Sequence, residues 1–178
     1  MDFLNYYYNN IVKYDLINKF YYKNIKQLPK VEKIILNFNF KKQTYRNLTT
    51  SLLALELISN QKPIFIMSKV SNITLKIRKG QPAGFKLTLR KQNANFFILK
   101  LINEIFYSKS NFRENLKKIK IKNSSFFSFQ IKNSLIFPEL ESNYQIFKEL
   151  SKLNITIVCN SKTFSELNFL LKSYKIPL

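Results

Sequence analysis

The chain has 178 residues, of which 46% are hydrophobic and 15% aromatic, enough for one domain with a buried core. It carries 30 Lys+Arg against 10 Asp+Glu, and a formal charge of +20 indicates a polyanionic partner, with nucleic acid the first candidate. One cysteine and no histidine exclude an intramolecular disulfide, most zinc sites and the Ser-His and Cys-His catalytic mechanisms. We therefore expect no catalytic residue, no cofactor and no metal.

The cations are distributed along the whole chain rather than gathered on one amphipathic helix, which argues against a membrane-surface protein. The longest apolar stretches, such as Leu52 to Ile58, are far shorter than the roughly 18 residues of a membrane span. No membrane partner is expected. Lysine supplies 26 of the 30 cations, and Asn, Ile, Phe and Tyr are abundant, which is typical of AT-rich codons. We infer an AT-rich genome, as in many organelles.

Hydrophobic periodicity predicts helices and half-buried strands that interleave along the chain. In chain order, the expected elements are a helix at 4–20, a strand at 31–40, a helix at 48–58, strands at 64–67, 73–78 and 85–90, a helix at 95–106, alternating segments at 118–122 and 127–131, a buried strand at 153–158 and a C-terminal helix. Thr163 and Glu166 form a predicted capping box for the last helix. The pattern predicts an α+β fold, with helices packed on one face of a mostly antiparallel sheet, in a single domain over residues 1–178.

The centre of the chain has the most distinctive charge pattern. The strands at 73–78 and 85–90 are each expected to have one apolar and one cationic face. Between them, residues 79–84 hold both glycines, Gly80 and Gly84, which suggests backbone angles that only glycine adopts readily. No acidic residue occurs between Glu56 and Glu104, whereas nine cations do: Lys62, Lys69, Lys76, Arg78, Lys79, Lys86, Arg90, Lys91 and Lys100.

Cations on one sheet face, mixed with polar residues such as Asn37, Gln61 and Thr88, can contact phosphates and ribose hydroxyls together. This mixture favours structured RNA as the partner. The alternative is that the lysines are simply the solvated face of a half-buried sheet, since exposed lysine is ordinary.

Three smaller features have two interpretations each. The run from Tyr6 to Tyr8 could stack on bases, although its helical spacing favours packing. Glu139 and Glu141 follow a proline, so a turn or the first turn of a helix is favoured over an acid–base or metal pair. Cys159 lies in an apolar strand and is expected in the core.

Five segments, taken in order, resemble the bacterial-type large-subunit ribosomal protein five (L-five) family over nearly the whole chain. They are LPKVEKIILN (28–37), ISNQKP (58–63), IRKGQPAGFKLTLR (77–90), LIFPELE (135–141) and LNITIVCNSKTFSELNFLL (153–171).

The resemblance implies a structural protein of the central protuberance. Together with the AT-rich composition, it leads us to expect a mitochondrial version, located in the matrix and encoded by the organelle. Its implied partners are 5S rRNA or other large-subunit rRNA, P-site tRNA, a small-subunit head protein across the intersubunit bridge, and other large-subunit proteins. The implied rRNA-binding residues are Asn37, Gln61, Lys62, Lys86, Thr88 and Arg90. The implied loop toward tRNA and the bridge lies in Lys69 to Gly84, with Lys69, Lys76, Arg78, Lys79, Gly80 and Gly84.

The chain departs from the family pattern at three places. Phe38-Asn39-Phe40 replaces a glycine-containing turn, residues 107–116 replace a basic proline-containing segment, and Asn123 to Asn133 lacks the family's glycines. Two rival functions stay open at this point. An organelle-encoded endonuclease or maturase would need carboxylates for a divalent metal, which the acid-free centre does not supply. A non-ribosomal RNA-binding or chaperone module would not remain with the large subunit through a high-salt wash.

Overall fold

The computed structural model of the chain describes residues 3–40, 45–71, 73–74, 77–106 and 125–176. In this part of the chain the strands are β1 (Val31–Asn39), β2 (Ile64–Met67), β3 (Pro82–Arg90), β4 (Phe126–Ile131) and β5 (Leu153–Cys159). They form a sheet with the order β2-β3-β1-β5-β4.

Neighbouring strands of the sheet run antiparallel. Strand β2 pairs antiparallel with β3, with Ile64 opposite Lys86. In each of the other neighbouring pairs, a backbone hydrogen bond joins the end of one strand to the start of its partner, as in an antiparallel pair. These bonds are Phe40 N to Ala83 O, Asn160 N to Lys30 O, and Cys159 N to Ser125 O. The predicted antiparallel sheet is therefore confirmed.

The helices of the described residues are α1 (Phe3–Tyr7), α2 (Lys13–Lys19), α3 (Tyr45–Ser59), α4 (Lys91–Lys100), α5 (Pro138–Glu141), α6 (Tyr144–Phe147) and α7 (Phe164–Ser173). Helices α1 and α2 are joined by a π-helical segment, Tyr8–Val12, and α4 continues as another, Leu101–Phe106. The helices predicted at 4–20, 48–58 and 95–106 are thus confirmed, the last beginning four residues earlier than expected.

Burial alternates along the strands, so the sheet has one core face and one open face. In β1, Ile34, Leu36 and Phe38 are fully buried, whereas Ile35 and Asn37 between them are only half-buried. The same alternation occurs in β3, β4 and β5, because successive strand residues point to opposite sides. With helices and a five-stranded antiparallel sheet in the part of the chain that the structure describes, the chain has the predicted α+β fold.

The contacts divide the chain into two compact units. The first unit comprises Met1–Ile34, Leu89–Phe129 and Thr156–Leu178, and the second comprises Ile35–Thr88 and Gln130–Ile155. The expectation of one domain over residues 1–178 stays a prediction.

In the first unit, the N-terminal helix buries Leu4, Tyr8, Val12 and Leu16, which are four residues apart. Residues at this spacing would drift around an α-helix of 3.6 residues per turn. The π-helical segment has wider turns, so it offsets the drift and keeps these side chains on one side. Ile11, which also fits helical spacing, is 48% exposed as a result.

The C-terminal helix of the first unit begins with the predicted capping box. The Thr163 side chain accepts a hydrogen bond from the Glu166 backbone N–H, and the Glu166 carboxylate accepts one from the Thr163 backbone N–H. The carboxylate also accepts a bond from Lys162 N at 3.0 Å. Three backbone donors near the start of α7 are thereby satisfied.

The strand predicted at Ile73–Arg78 is wrong for the residues that the structure describes. Ile73 and Thr74 form a turn, and Ile77 makes an isolated bridge. Ile73 is 93% exposed, so its side chain has no layer to pack against. Alternation alone does not make a strand where no neighbour buries one face. The alternating segment at 118–122 lies outside the described residues.

The prediction of a glycine-only backbone angle is confirmed at Gly80, where φ is +83°, and is wrong at Gly84. Gly84 belongs to β3 rather than to the connecting loop. A Cβ there would collide with the carbonyl oxygen of Phe38 in β1. Glycine is required at position 84 because there is no room for a Cβ, not because the backbone angles there need a glycine.

Candidate nucleic-acid interface

The open side of β3 carries three of the residues predicted to bind RNA. The apolar residues of β3, from Phe85 to Leu89, are buried at alternate positions, which directs Lys86, Thr88 and Arg90 to the open face. Lys86 and Arg90 are exposed and Thr88 is half-buried. One strand therefore presents cation, hydroxyl and cation at a spacing of two residues.

Asn37 has the corresponding position in β1, the strand next to β3. It is half-buried, and its Oδ1 atom is buried without a hydrogen-bond partner among the described residues. An acceptor left unsatisfied in this way costs about 1–3 kcal/mol. The hydrogen bonding of this side chain is thus incomplete within the described structure.

Gln61 and Lys62 lie between α3 and β2, and both are exposed. The chain turns at Asn60, where φ is +52°, and Ser59 Oγ and the Gln61 backbone hydrogen-bond across this turn. Ile64 lies opposite Lys86 on the open face. Lys62 lies two residues before Ile64, just outside the strand.

The open face of the second unit carries no carboxylate on any of its described strand positions. These positions are Ile35, Asn37 and Asn39 of β1, Ile64 and Ile66 of β2, Gly84, Lys86 and Thr88 of β3, Gln130 of β4 and Asn154 of β5. These positions therefore combine amides, a hydroxyl and a lysine with isoleucines, and none of them would repel a phosphate backbone.

The β2–β3 loop, residues 68–81, is closed at its base by backbone hydrogen bonds. Ser68 N donates to Gln81 O at 2.8 Å, and Gly80 N donates to Ser68 O at 2.9 Å. Arg78 N donates to the side-chain oxygen of Gln81 at 2.9 Å, which fixes the turn that contains Gly80. These bonds join the two ends of the loop where it leaves β2 and enters β3.

The loop residues predicted to face tRNA and the subunit bridge are largely at the surface. Lys69, Arg78, Lys79 and Gly80 are exposed. Lys76 lies outside the described residues. The structure therefore divides the predicted residues into two groups, one on the open face and one in the loop.

The sequence reasoning missed a pair of amides on the open face of β4 and β5. Gln130 Nε2 donates to Asn154 Oδ1 at 2.7 Å. These residues occupy polar positions between the buried residues of two predicted strands, and that alternation was the signal that could have found them. Their pairing depends on the register between the strands, which one sequence does not reveal.

The smaller features take the structural interpretation. Tyr8 is buried and donates its hydroxyl to Pro29 O at 3.0 Å, whereas Tyr6 is 62% exposed. Glu139 and Glu141 lie in the first turn of α5, directly after Pro138. The Cys159 thiol, only 2% exposed, is part of the core. Within the described residues, no group of three or more Asp, Glu or Cys is placed to hold a metal ion. Nor is any described helix long and apolar enough to cross a membrane.

An α+β protein with a carboxylate-free open sheet face, lined by amides, a hydroxyl and cations, has the kind of surface that binds structured RNA. Comparison with known proteins narrows this class of RNA-binding proteins to one family. A family model that describes the C-terminus of the ribosomal L-five protein family matches residues 82–178.

Proteins similar to the chain over almost its full length belong to the same family by name. The large ribosomal subunit protein uL5m of Reclinomonas americana is 37% identical over 180 residues, covering 100% of this chain and 98% of the relative. The large ribosomal subunit protein uL5 of Malacoplasma penetrans is 37% identical over 172 residues, covering 96% and 90%. That of Thermosipho africanus is 34% identical over 172 residues, covering 96% and 93%.

The chain belongs to the ribosomal L-five protein family. Members of this family are structural proteins of the ribosome that bind rRNA, and they are not enzymes. The endonuclease alternative is thereby excluded, and a ribosomal role replaces the second alternative of a free-standing RNA-binding module.

Proposed function

We propose that the chain is a structural constituent of the large ribosomal subunit that binds rRNA of the central protuberance through its open sheet face. The partner is 5S rRNA where the ribosome has one, and otherwise the large-subunit rRNA in that place. The proposed rRNA-binding residues are Asn37, Gln61, Lys62, Lys86, Thr88 and Arg90.

The observation that carries the proposal is the arrangement of β3. Its two exposed cations, Lys86 and Arg90, flank the Thr88 hydroxyl on the open face, and the described open-face positions of the neighbouring strands β1 and β2 lack carboxylates. Cations contact phosphates, whereas a hydroxyl can donate to or accept from a ribose 2′-hydroxyl. Lys86 and Arg90 are four strand residues, about 13 Å, apart, so the two cations would contact phosphates that are not adjacent in the RNA chain, with the hydroxyl between them.

Asn37 supports the same face from the neighbouring strand. Its buried Oδ1 atom lacks a partner in the described structure. A 2′-hydroxyl is a donor that can satisfy it after a small rotation of the amide. Complex formation would then remove a cost that the free protein bears.

The β2–β3 loop is proposed to extend toward P-site tRNA and toward a small-subunit head protein across the intersubunit bridge. Lys69, Arg78 and Lys79 supply exposed cations for the tRNA backbone, and backbone hydrogen bonds join the two ends of the loop. Lys76 is proposed for the same contact on its sequence position alone. Gly84 is not included, because its role within β3 is explained by its contact with Phe38.

The ribosome is proposed to be mitochondrial, with the protein located in the matrix and encoded by the organelle. Support comes from the similarity to uL5m of Reclinomonas americana and from the AT-rich composition. Other large-subunit proteins are proposed as neighbours in the assembled particle.

The test is the affinity of the purified protein for 5S rRNA and for large-subunit rRNA from the same source, measured by filter binding across a salt series. A Lys62→Gln, Lys86→Gln double variant should bind about tenfold more weakly and lower the log–log salt slope by about 1 to 2. The matched control is Lys23→Gln with Lys26→Gln, two exposed lysines whose replacement changes the net charge equally. Equal losses in both double variants would mean that net charge, not the open face, determines binding.

The loop has a separate test in reconstituted ribosomes. An Arg78→Gln, Lys79→Gln variant should assemble into large subunits that survive a high-salt wash, but its crosslinks to P-site tRNA should decrease. Loss of the protein from the washed subunit would place these two residues in the docking surface and overturn the division proposed here.

A further inference from the structure

A groove of about 720 Å³ in the second unit, here called the α3–α6 groove, is lined by residues of two helices. The lining consists of Arg46 and Thr50 from α3, Tyr144, Gln145 and Ile146 from α6, and Lys148, which directly follows α6. None of these residues belongs to the open sheet face or to the β2–β3 loop. The volume is within the roughly 300–1,000 Å³ of pockets that hold small molecules, so the groove has room for one nucleotide.

The charge of the α3–α6 groove favours an anionic ligand. Its lining contains two exposed cations, Arg46 and Lys148, and no carboxylate among the residues that the structure describes there. Arginine is rare in this chain, with four residues against 26 lysines, and two of the others, Arg78 and Arg90, are proposed above to contact RNA. A guanidinium can bind a phosphate through two parallel hydrogen bonds. The lining is therefore suited to a phosphate group.

The groove also has an aromatic and apolar portion at the surface. Tyr144 is 58% exposed and Ile146 is exposed as well, whereas Phe147 of the same helix is buried. An exposed aromatic ring in a cationic groove is a surface on which a base can stack, and the base must be unpaired to do so. By contrast, the described open-face strand positions of the second unit include no aromatic residue. The groove thus suits an unpaired nucleotide better than the open face does.

We propose that the α3–α6 groove binds an unpaired nucleotide of rRNA. Tyr144 stacks on the base, and Arg46 and Lys148 contact the phosphates on either side of it. The inference rests on the proposed rRNA binding and adds to it a contact that requires single-stranded RNA. Because every base has a face that can stack, the groove should show little preference for one base over another.

The test is fluorescence anisotropy of the full chain with the labelled single strand UUUUUU in about 150 mM potassium chloride, where non-specific contacts are screened. Tyr144→Leu removes the ring at an exposed position and should bind the strand about tenfold more weakly, the loss expected for one base stack. The matched control is Tyr21→Leu, the same exchange at an exposed tyrosine of the first unit, which should bind like the wild type. Equal affinities of the two variants would overturn the inference.

The cations of the groove have a second readout. Arg46→Gln with Lys148→Gln should lower the log–log salt slope for UUUUUU by about 1, because each phosphate of a single strand contributes about 0.7. Gln145→Leu, an uncharged exchange in the same lining, should leave the slope unchanged. A slope that stays the same in the double variant would contradict the proposed phosphate contacts. If hexaglutamate displaced the labelled strand as well as unlabelled UUUUUU does, the groove would be a site for acidic peptides, which would also overturn the inference.

These results are separable from the proposed function. The Lys62→Gln, Lys86→Gln variant tests the open face with intact rRNA, and its expected loss of affinity does not depend on the α3–α6 groove. A groove that fails to bind UUUUUU would therefore leave rRNA binding by the open face in place. An open face that fails the rRNA test, with the Tyr144→Leu effect intact, would count against the open face alone.

Discussion

Gly84 in β3 lies against the backbone carbonyl oxygen of Phe38 in β1, with Asn39 Oδ1 3.3 Å from the point where a Cβ would lie. The two strands are neighbours in the sheet, and Phe40 N donates to Ala83 O at 3.0 Å beside this contact. The absence of a side chain at position 84 therefore lets β3 approach β1 where the cationic stretch of β3 begins.

The two glycines of the chain should respond differently to alanine. Gly84→Ala places a methyl group against backbone that cannot rotate away, so we expect a loss of about 2–3 kcal/mol in the free energy of unfolding. Gly80→Ala meets open space and bears only the positive φ, so about 1 kcal/mol is expected. Urea unfolding of both variants measures the difference. Equal losses would show that the close approach to Phe38 is unimportant.

The capping box of α7 should contribute measurably to stability. Thr163→Ala removes the oxygen that accepts from the Glu166 backbone N–H, and a loss of about 1 kcal/mol is expected. Thr163→Ser keeps the oxygen and should retain most of the stability. If both variants unfolded at the same urea concentration, the threonine methyl rather than the cap would be responsible.

The strands around the open face could be predicted because their apolar residues recur at every second position. Lys86, Thr88 and Arg90 followed directly from that alternation in β3, and the antiparallel arrangement followed from the mixture of elements. The same rule failed at Ile73, which has no partner layer in the structure. Alternation of apolar and polar residues shows which face of a strand could be buried. Burial itself also requires another element of the fold to pack against that face.

Two features of the candidate site depend on contacts that are distant in sequence. Glycine is required at position 84 because a Cβ there would meet the carbonyl oxygen of Phe38. The hydrogen bond between Gln130 and Asn154 depends on the register of β4 against β5. A single sequence gives the elements but not their register, since a shift of one residue exchanges the two faces. These features became visible only in the folded chain.

Stability should decrease at alkaline pH, partly because of Cys159. Burial, and secondly the charge of Glu32, raises the pKa of the Cys159 thiol from 9.0 to about 12. In the unfolded chain the thiol ionises near pH 9, so the folded state keeps a proton that the unfolded state loses. This contribution to stability is complete below pH 9 and is lost as the pH rises toward 12.

A Cys159→Ala variant should therefore lose less stability than the wild type between pH 9 and 10, by about 1 kcal/mol. Burial raises the pKa of Tyr8 from 10.0 to about 12, and burial with the charges of Glu166 and Tyr8 raises that of Tyr22 equally. Because both tyrosines ionise earlier in the unfolded chain, the free energy of unfolding should continue to fall above pH 10 in the wild type and in the Cys159→Ala variant. Urea unfolding at half-unit pH intervals gives the slopes, and identical slopes between pH 9 and 10 would contradict the role of the thiol.

The affinity for rRNA should fall steeply with salt. If about six phosphates are neutralised, the slope of log affinity against log salt should be about −4 to −5. The measurement is filter binding between 50 and 300 mM potassium chloride, with Gln145→Leu in α6 as a control variant whose charge is unchanged. A slope near zero would mean that the cations are only a solvated surface.

The most direct test of rRNA binding by the open face is ultraviolet crosslinking of the native ribosome, followed by sequencing of the attached RNA and mapping of the crosslinked peptide. We predict crosslinks from the peptides containing Lys62 and Lys86 to 5S or large-subunit rRNA, and crosslinks near Arg78 to tRNA. Crosslinks to rRNA that arise only from other parts of the chain, or crosslinks scattered over messenger RNAs, would contradict rRNA binding by this face.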